Sequence, residues 1–313
     1  MKRGNRILLV LAVVLLPFAG QAAEEEGATD PGSAITSGKA SISGRYRYEH
    51  VDQDNALNNA NASTLRLRLN YRTGPWKGWS AFAEFDHVFH VLIDDFNSGA
   101  GTSPNRDEYS VVADPKGSDL NQLYFDLDPN DNWKYRVGRQ RILLDNQRFV
   151  GGVGWRQNEQ TYDAFTLNTS AISKTTLSYT YVNYVRRIFG QSVPAGKERL
   201  DGHLLNARIA FSEGFSLTPY LYSLDYDDAV ANSSLTIGAR AAGSHPFGSG
   251  KFNWLAELAT QSDTGDNPTS YDADYLHLTA ANAAGNGMTL GLGYEILGAE
   301  SSAGVGFSTP LAT

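Results

Sequence analysis

From Ala40 onward apolar and polar residues change places at nearly every step, and no stretch shows the three-to-four spacing of an amphipathic helix. Leu65, Leu67, Leu69 and Tyr71 alternate with Arg66, Arg68, Asn70 and Arg72. Ile42, Gly44, Tyr46 and Tyr48 do the same with Ser43, Arg45, Arg47 and Glu49, and Trp133, Tyr135 and Val137 with Lys134 and Arg136. A period of two with charge on every second residue places one face in apolar surroundings and the other in water. The pattern predicts strands at 41–51, 64–72, 79–89, 120–127, 133–144, 161–169, 174–185, 202–211, 215–226, 235–244, 252–261, 272–282 and 288–299.

The connections sort by parity. Short turns follow the even strands (73–78, 129–132, 171–173, 213–214, 246–250, 285–287), and longer polar loops follow the odd ones (52–63, 90–118, 145–160, 186–201, 227–233, 264–270). Outer-membrane barrels have short periplasmic turns and long outside loops, and a tilted spanning strand needs about ten residues. The predicted fold class is therefore all-β, an antiparallel up-and-down transmembrane β-barrel. Secreted β-sandwiches and lectin-like domains also alternate strands with Gly-rich turns, but have no reason to sort connections by parity. Leu65, Leu67 and Leu69 enclosed between two sheets would favour the sandwich.

Composition agrees with export. Lys2, Arg3 and Arg6 precede the apolar run 7–16 and small residues near Ala22, which reads as a secretory signal over residues 1–23. Residues 24–39 are acidic, then rich in Gly, Ser and Thr, and are expected to be a flexible segment. The barrel is assigned to 40–313. Without residues 1–23 the chain carries 23 basic against 34 acidic residues, a net charge of −11, which excludes a general nucleic-acid binder. With no cysteine there is neither a disulfide framework nor a thiolate zinc site. Mean hydropathy is only −0.34.

Sorting charge by strand face places Arg45, Arg47, Arg66, Arg68, Arg72, Lys134, Arg136, Arg208 and Arg240 in the lumen, with Glu49, Glu84, Asp86, Asp126 and Glu295 as acidic company. Surplus acid sits in outer loops, at Asp52, Asp54, Asp94, Asp95, Asp107, Glu108, Asp227, Asp228 and Asp266. A ring of guanidinium groups favours anions, because its planar fork fits a carboxylate. The competing expectation is that these arginines and acids satisfy one another across strands. If the alternation of the fifth strand continued, Arg139 and Arg141 would face lipid, at about 2–4 kcal/mol each near the midplane. A bulge at Gly138 is expected to turn both inward. Arg148 and Arg156 sit in a loop that either folds into the pore or stays on the surface.

The run GRQRILLDNQRFVGGVGWRQNEQTYDAF, from Gly138 to Phe165, resembles the corresponding stretch of the alginate-export family of bacterial outer-membrane proteins. A Gly-Arg-Gln strand, a loop like Asp-Asn-Gln-Arg and a return ending in Asp-Ala recur there. The resemblance implies a barrel of about 18 strands with an arginine-rich pore for an acidic polysaccharide. Only Arg139, Arg141, Arg148 and Arg156 lie in the matching run. Thirteen visible strands of about 16–18, without a closing aromatic strand, lead to the expectation of further C-terminal strands.

The function expected is an outer-membrane porin of a Gram-negative bacterium that passes anionic solutes, an acidic polysaccharide such as alginate among them. The alternatives are a non-selective small-solute porin, a barrel-rim hydrolase and a secreted carbohydrate-binding protein. The histidines are scattered and no Ser lies in a G-x-S-x-G elbow, so no enzyme is expected. Neither cofactor nor metal is expected, since Asp263, Asp266, Asp272 and Asp274 lack the EF-hand pattern. The expected partners are outer-membrane lipid, the anionic solute and the barrel-assembly machinery, with no nucleic acid; the oligomeric state is left open.

Overall fold

The structure, a computed structural model, describes residues 28–312. The expected secretory signal lies outside the described residues. Thirteen strands form one antiparallel sheet in which every strand pairs with its neighbours in sequence. They are β1 (Lys39–Val51), β2 (Ala60–Arg72), β3 (Trp79–Asp95), β4 (Gly117–Asn130), β5 (Trp133–Gln140), β6 (Thr161–Thr169) and β7 (Thr175–Arg186). They continue as β8 (Lys197–Ser212), β9 (Phe215–Tyr226), β10 (Ser234–Phe247), β11 (Gly250–Asp263), β12 (Asp272–Ala283) and β13 (Thr289–Leu297). A two-residue hairpin follows, β14 (Ala299–Glu300) and β15 (Val305–Gly306). Among the described residues β1 and β13 do not pair, so the sheet is open along that seam. β13 pairs with β12 alone among the described residues, and each of its residues is exposed.

The alternation places the two faces as expected. On β2, Leu67 and Leu69 are 40% and 55% exposed on the convex face, where Phe85, Phe125, Val137 and Phe165 join them. Between them Arg66 and Arg68 are only 7% and 8% exposed, on the concave face. A sandwich would invert this, burying the leucines and wetting the arginines. The parity of connections also holds, with short turns after even strands and long loops after odd ones. In the first turn Lys77 and Gly78 both have positive φ, as a tight hairpin requires, and a Cβ on Gly78 would lie 2.7 Å from the Asp128 carbonyl oxygen.

Within the segment expected to be flexible, α1 (Pro31–Thr36) is a helical turn. Asp30 caps it, accepting from the amides of Gly32 and Ser33, while its own amide donates to Ser33 Oγ. It is tied to the first turn by Gly74 N donating to Ala34 O at 2.8 Å and by the Tyr71 hydroxyl on Ile35 O. The fifth strand ends at Gln140 rather than at residue 144, because 141–160 leave the sheet and turn across its concave side.

Candidate functional site: a charged lumen and the loop folded into it

On the concave face Arg45 and Arg66 stand directly opposite each other on β1 and β2. Like charges in that position repel. The loop 141–160 supplies what they lack. Arg45 donates Nε to Gln157 Oε1 at 3.0 Å and Nη1 to Gly154 O at 2.9 Å, and also reaches Arg156 O. Arg66 donates to Gln157 O at 3.1 Å. Gln157, fully buried, returns its amide to Thr64 Oγ1 at 2.8 Å, and its backbone N–H donates to Asp114 of the preceding outer loop at 2.8 Å. Two repelling guanidinium groups are thus bridged by carbonyl oxygens from a third element.

One step along, Arg68 faces Asp86 directly and forms a two-pronged pair, Nε to Oδ1 at 2.7 Å and Nη2 to Oδ2 at 2.6 Å. Its remaining Nη1 donates to Glu159 of the loop at 2.8 Å. Arg141 donates Nε to the other oxygen of Glu159 at 2.7 Å and approaches Glu84 at 3.3 Å. Arg47 pairs with Glu49 and lies 3.4 Å from Asp114, and Arg156 lies 3.1 Å from Glu49 with its guanidinium 4.0 Å over the Trp155 ring. Burial pushes the Glu159 carboxyl up, but Arg68 and Arg141 more than offset this and hold it below its ordinary 4.5. Charge here is close to balanced: six arginines against Glu49, Glu84, Asp86, Asp114 and Glu159.

Across the lumen the loop is held by rings. Phe149 packs against Tyr220, Tyr275 and Phe307 at centroid distances of 5.5, 5.1 and 5.7 Å, and Tyr220 stacks on Tyr222 at 4.9 Å. Leu311 pairs with Val150 as two adjacent extended residues, and Gly151 N donates to Leu311 O at 2.8 Å. The chain after β13 therefore also lies within the lumen. Arg148 reaches Glu295 on β13 at 2.8 Å, and Arg240 faces Glu257, with 3.1 Å between Nη1 and Oε2.

Of the arginines singled out from sequence, Arg45, Arg47, Arg66, Arg68, Arg141 and Arg156 converge on the loop. Arg136 lies further along the lumen and forks onto the directly opposed Asp126, Nε to Oδ1 at 2.6 Å and Nη2 to Oδ2 at 3.1 Å. Arg72 shares that carboxylate at 3.1 Å. Arg208 faces the lumen in phase with buried Leu204 and Asn206, and Lys134 in phase with Arg136; both are exposed and have no ion-pair partner among the described residues.

Arg139 does not turn inward. The pairing of β5 with β4 and β6 runs through Gly138 without a register shift, so Arg139 stays on the face of Val137 while Gln140 is buried in the lumen. Its charge is met instead on its own face by Asp163, directly opposite at 2.8 Å, which Arg186 also holds at 2.9 Å. Gly138 matters for another reason. Its φ is +124°, and a Cβ there would come within 2.3 Å of the Leu123 carbonyl oxygen. Arg141 reaches the lumen because the strand has ended, not because its phase has changed.

Sequence reasoning missed Asp114, Gln157 and Glu159, which lie in outer loops, and the tyrosines of β9 and β12. The latter gave no signal because β9 has apolar side chains on both faces, Leu217 and Leu221 outside against Tyr220, Tyr222 and Tyr226 inside.

This architecture matches solved outer-membrane channels. The structure of Pseudomonas aeruginosa OccK8 (OprE) superposes with a TM-score of 0.66 at 14% identity, over 84% of this chain and 69% of that one. Acinetobacter baumannii OccAB2 gives 0.65 at 16%, over 85% and 70%. Pseudomonas aeruginosa OccK2 (OpdF), solved in complex with glucuronate, gives 0.64 at 16%, over 84% and 65%. No curated protein sequence matches the chain. The family model described as alginate export matches residues 40–297. The chain therefore belongs to the alginate-export family, and it is a β-barrel channel protein of the Gram-negative outer membrane.

Proposed function

We propose that the protein passes small anionic solutes, carboxylated saccharides foremost, by passive diffusion along the arginine-bearing side of its lumen. The observation that carries this is the charge left over after pairing. Two guanidinium groups, Arg72 and Arg136, share the single carboxylate of Asp126, and Lys134 and Arg208 face the lumen without an ion-pair partner among the described residues. The chain as a whole is acidic, so a cationic lumen is a local feature and not a reflection of net charge. Glucuronate, bound by the structurally similar OccK2, is a solute of the class such a surface suits. A passage for alginate itself belongs to the same chemistry, as a polymer of carboxylated sugars.

One observation favours a second reading, a channel with little preference among small solutes. Around the inward loop the six arginines are almost wholly matched by acids, so the surroundings of the loop present little net charge. Reversal potentials across planar bilayers in a potassium chloride gradient separate the two. Anion preference is expected; equal permeability supports the second reading, and cation preference removes the first.

A further inference from the structure

At the long-loop end of β7 and β8, on the outer wall of the barrel, residues 191–195 overhang the strands and bound a cleft of about 920 Å³. We propose that this cleft binds the phosphate group of an outer-leaflet lipid, with Arg186 and Lys197 taking the phosphate oxygens. The site belongs to the wall and not to the lumen, so it is independent of what the channel passes.

Strand register builds the site. One extra residue, Asn183, shifts the pairing of β7 with both of its neighbours. Past it Val185 turns into the lumen, fully buried, while Tyr184 and Arg186 turn outward. Tyr184 then stands opposite Asp163 on one side and Arg199 on the other, and Arg186 stands directly opposite Lys197. Two like charges in that position repel. Arg45 and Arg66 face each other in the same way inside the barrel, and there loop carbonyl oxygens bridge them. Outside there is no such bridge among the described residues. Arg186 is held by Asp163 at 2.9 Å, but Lys197 has only the Tyr184 ring, whose centroid lies 4.5 Å from its Nζ.

The charge around the cleft leaves a place for an anion. Arg186, Lys197 and Arg199 line it against Glu198 and Asp228. Glu198 is taken by Arg187 at 2.8 Å, Asp228 accepts the backbone N–H of Arg199 at 3.0 Å, and the Arg199 guanidinium meets Asp227 at 3.1 Å. Lys197 is the cation left over. A phosphate group presents three oxygens, enough for an arginine fork and an ammonium group together.

The wall beside the cleft decides which phosphate. One row towards the short turns, the outward residues are Val137, Phe165, Tyr181 and His203, and beyond them the face is apolar at Leu167 and Leu205. Val137, Phe165 and Leu205 are 50%, 38% and 40% exposed. Charge next to the loops, then tyrosine, then apolar surface is the order in which a lipid presents its headgroup and acyl chains. A free phosphate ion would use the charged row alone.

The probe is lipid A carrying both phosphates, added to the full chain in detergent micelles, and native mass spectrometry gives an apparent Kd. Lipid A stripped of its phosphates and inorganic phosphate are the controls. The phosphorylated lipid is expected to bind at least about tenfold more tightly than either, and K197Q to weaken it by about tenfold, as losing a hydrogen bond to a charged group does. Lys197→Arg should keep most of the affinity. A195D leaves every charged group in place and sets a carboxylate at the cleft, so a loss of similar size is expected. It keeps the test decisive if K197Q fails to insert, which heat-dependent gel mobility reveals. K251Q, at the short-turn end of β11, should bind as the wild type does. Equal binding with and without phosphates, unchanged binding in both cleft variants, or an equal loss in K251Q overturns the site. Inorganic phosphate binding as tightly as the lipid overturns the lipid as its occupant.

Discussion

The two sides of the lumen hold the same loop by different physics. On β1 to β5 the hold is ionic, with Arg68 gripping Asp86 and Glu159 and Arg141 closing on Glu159 from the other side. On β9 to β12 it is aromatic, with Phe149 seated among Tyr220, Tyr275 and Phe307. The ionic side is fixed by direction and charge, so it responds to acid and to the loss of one partner. The aromatic side depends on area removed from water, so it does not respond to acid and weakens only when a ring is lost. A loop anchored both ways keeps its place when one hold weakens, and the contrast can be tested one side at a time.

The largest effect is expected from Arg68→Ala. It leaves Asp86, Glu84 and Glu159 buried around a missing cation, and removal of one partner of a buried ion pair costs about 3–5 kcal/mol. Urea unfolding in detergent, followed by tryptophan emission, reads the loss; a change below 1 kcal/mol would mean that the ionic side is solvated and weak. Phe149→Ala comes next, at about 3 kcal/mol, since a ring is removed from a packed cluster. The same assay measures it, and single-channel records should show a noisier, larger conductance as the loop loosens. A conductance identical to wild type would place the restriction elsewhere.

Acid should act on one side only. Because the folded Glu159 pKa lies below its ordinary 4.5, its contribution is complete above pH 4.5 and is lost as the pH falls from there through the depressed value. Channel noise should therefore be flat from neutrality to about pH 5 and rise below 4.5, and Glu159→Gln should show the noisy state already at pH 7. A wild-type rise between pH 6 and 7 would assign the hold to some other group. The smallest effect is expected from Tyr220→Phe, which keeps the ring and removes only the 3.0 Å bond to Glu257, at about 1 kcal/mol. A loss as large as that of Phe149→Ala would show that the aromatic side is held by polar contacts after all.

Much of the barrel was legible because its strands have two solvents. In β2 the residues at 65, 67 and 69 are all leucine, and two of those between are arginine, so no register is needed to assign faces. Where both faces are apolar, as in β9, or where a strand stops early, as β5 does at Gln140, the period says less. Arg139 shows the limit most clearly. Reading the chain alone, an outward arginine looked too costly and a bulge at Gly138 the remedy, yet the remedy is a partner, Asp163, that lies 24 residues away.

By itself the sequence determined the alternation, the number of ribbons visible, the parity of their connections and which side chains face water, because each depends only on neighbours along the chain and on the two-residue repeat of a strand. Which arginine meets which acid was decided by the tertiary structure alone, through the register that sets Arg68 opposite Asp86 and Arg45 opposite Arg66. The inward course of residues 141–160 was decided there too. A polar loop has no preferred side until curved strands bring unmet guanidinium groups and a bank of tyrosines within its reach.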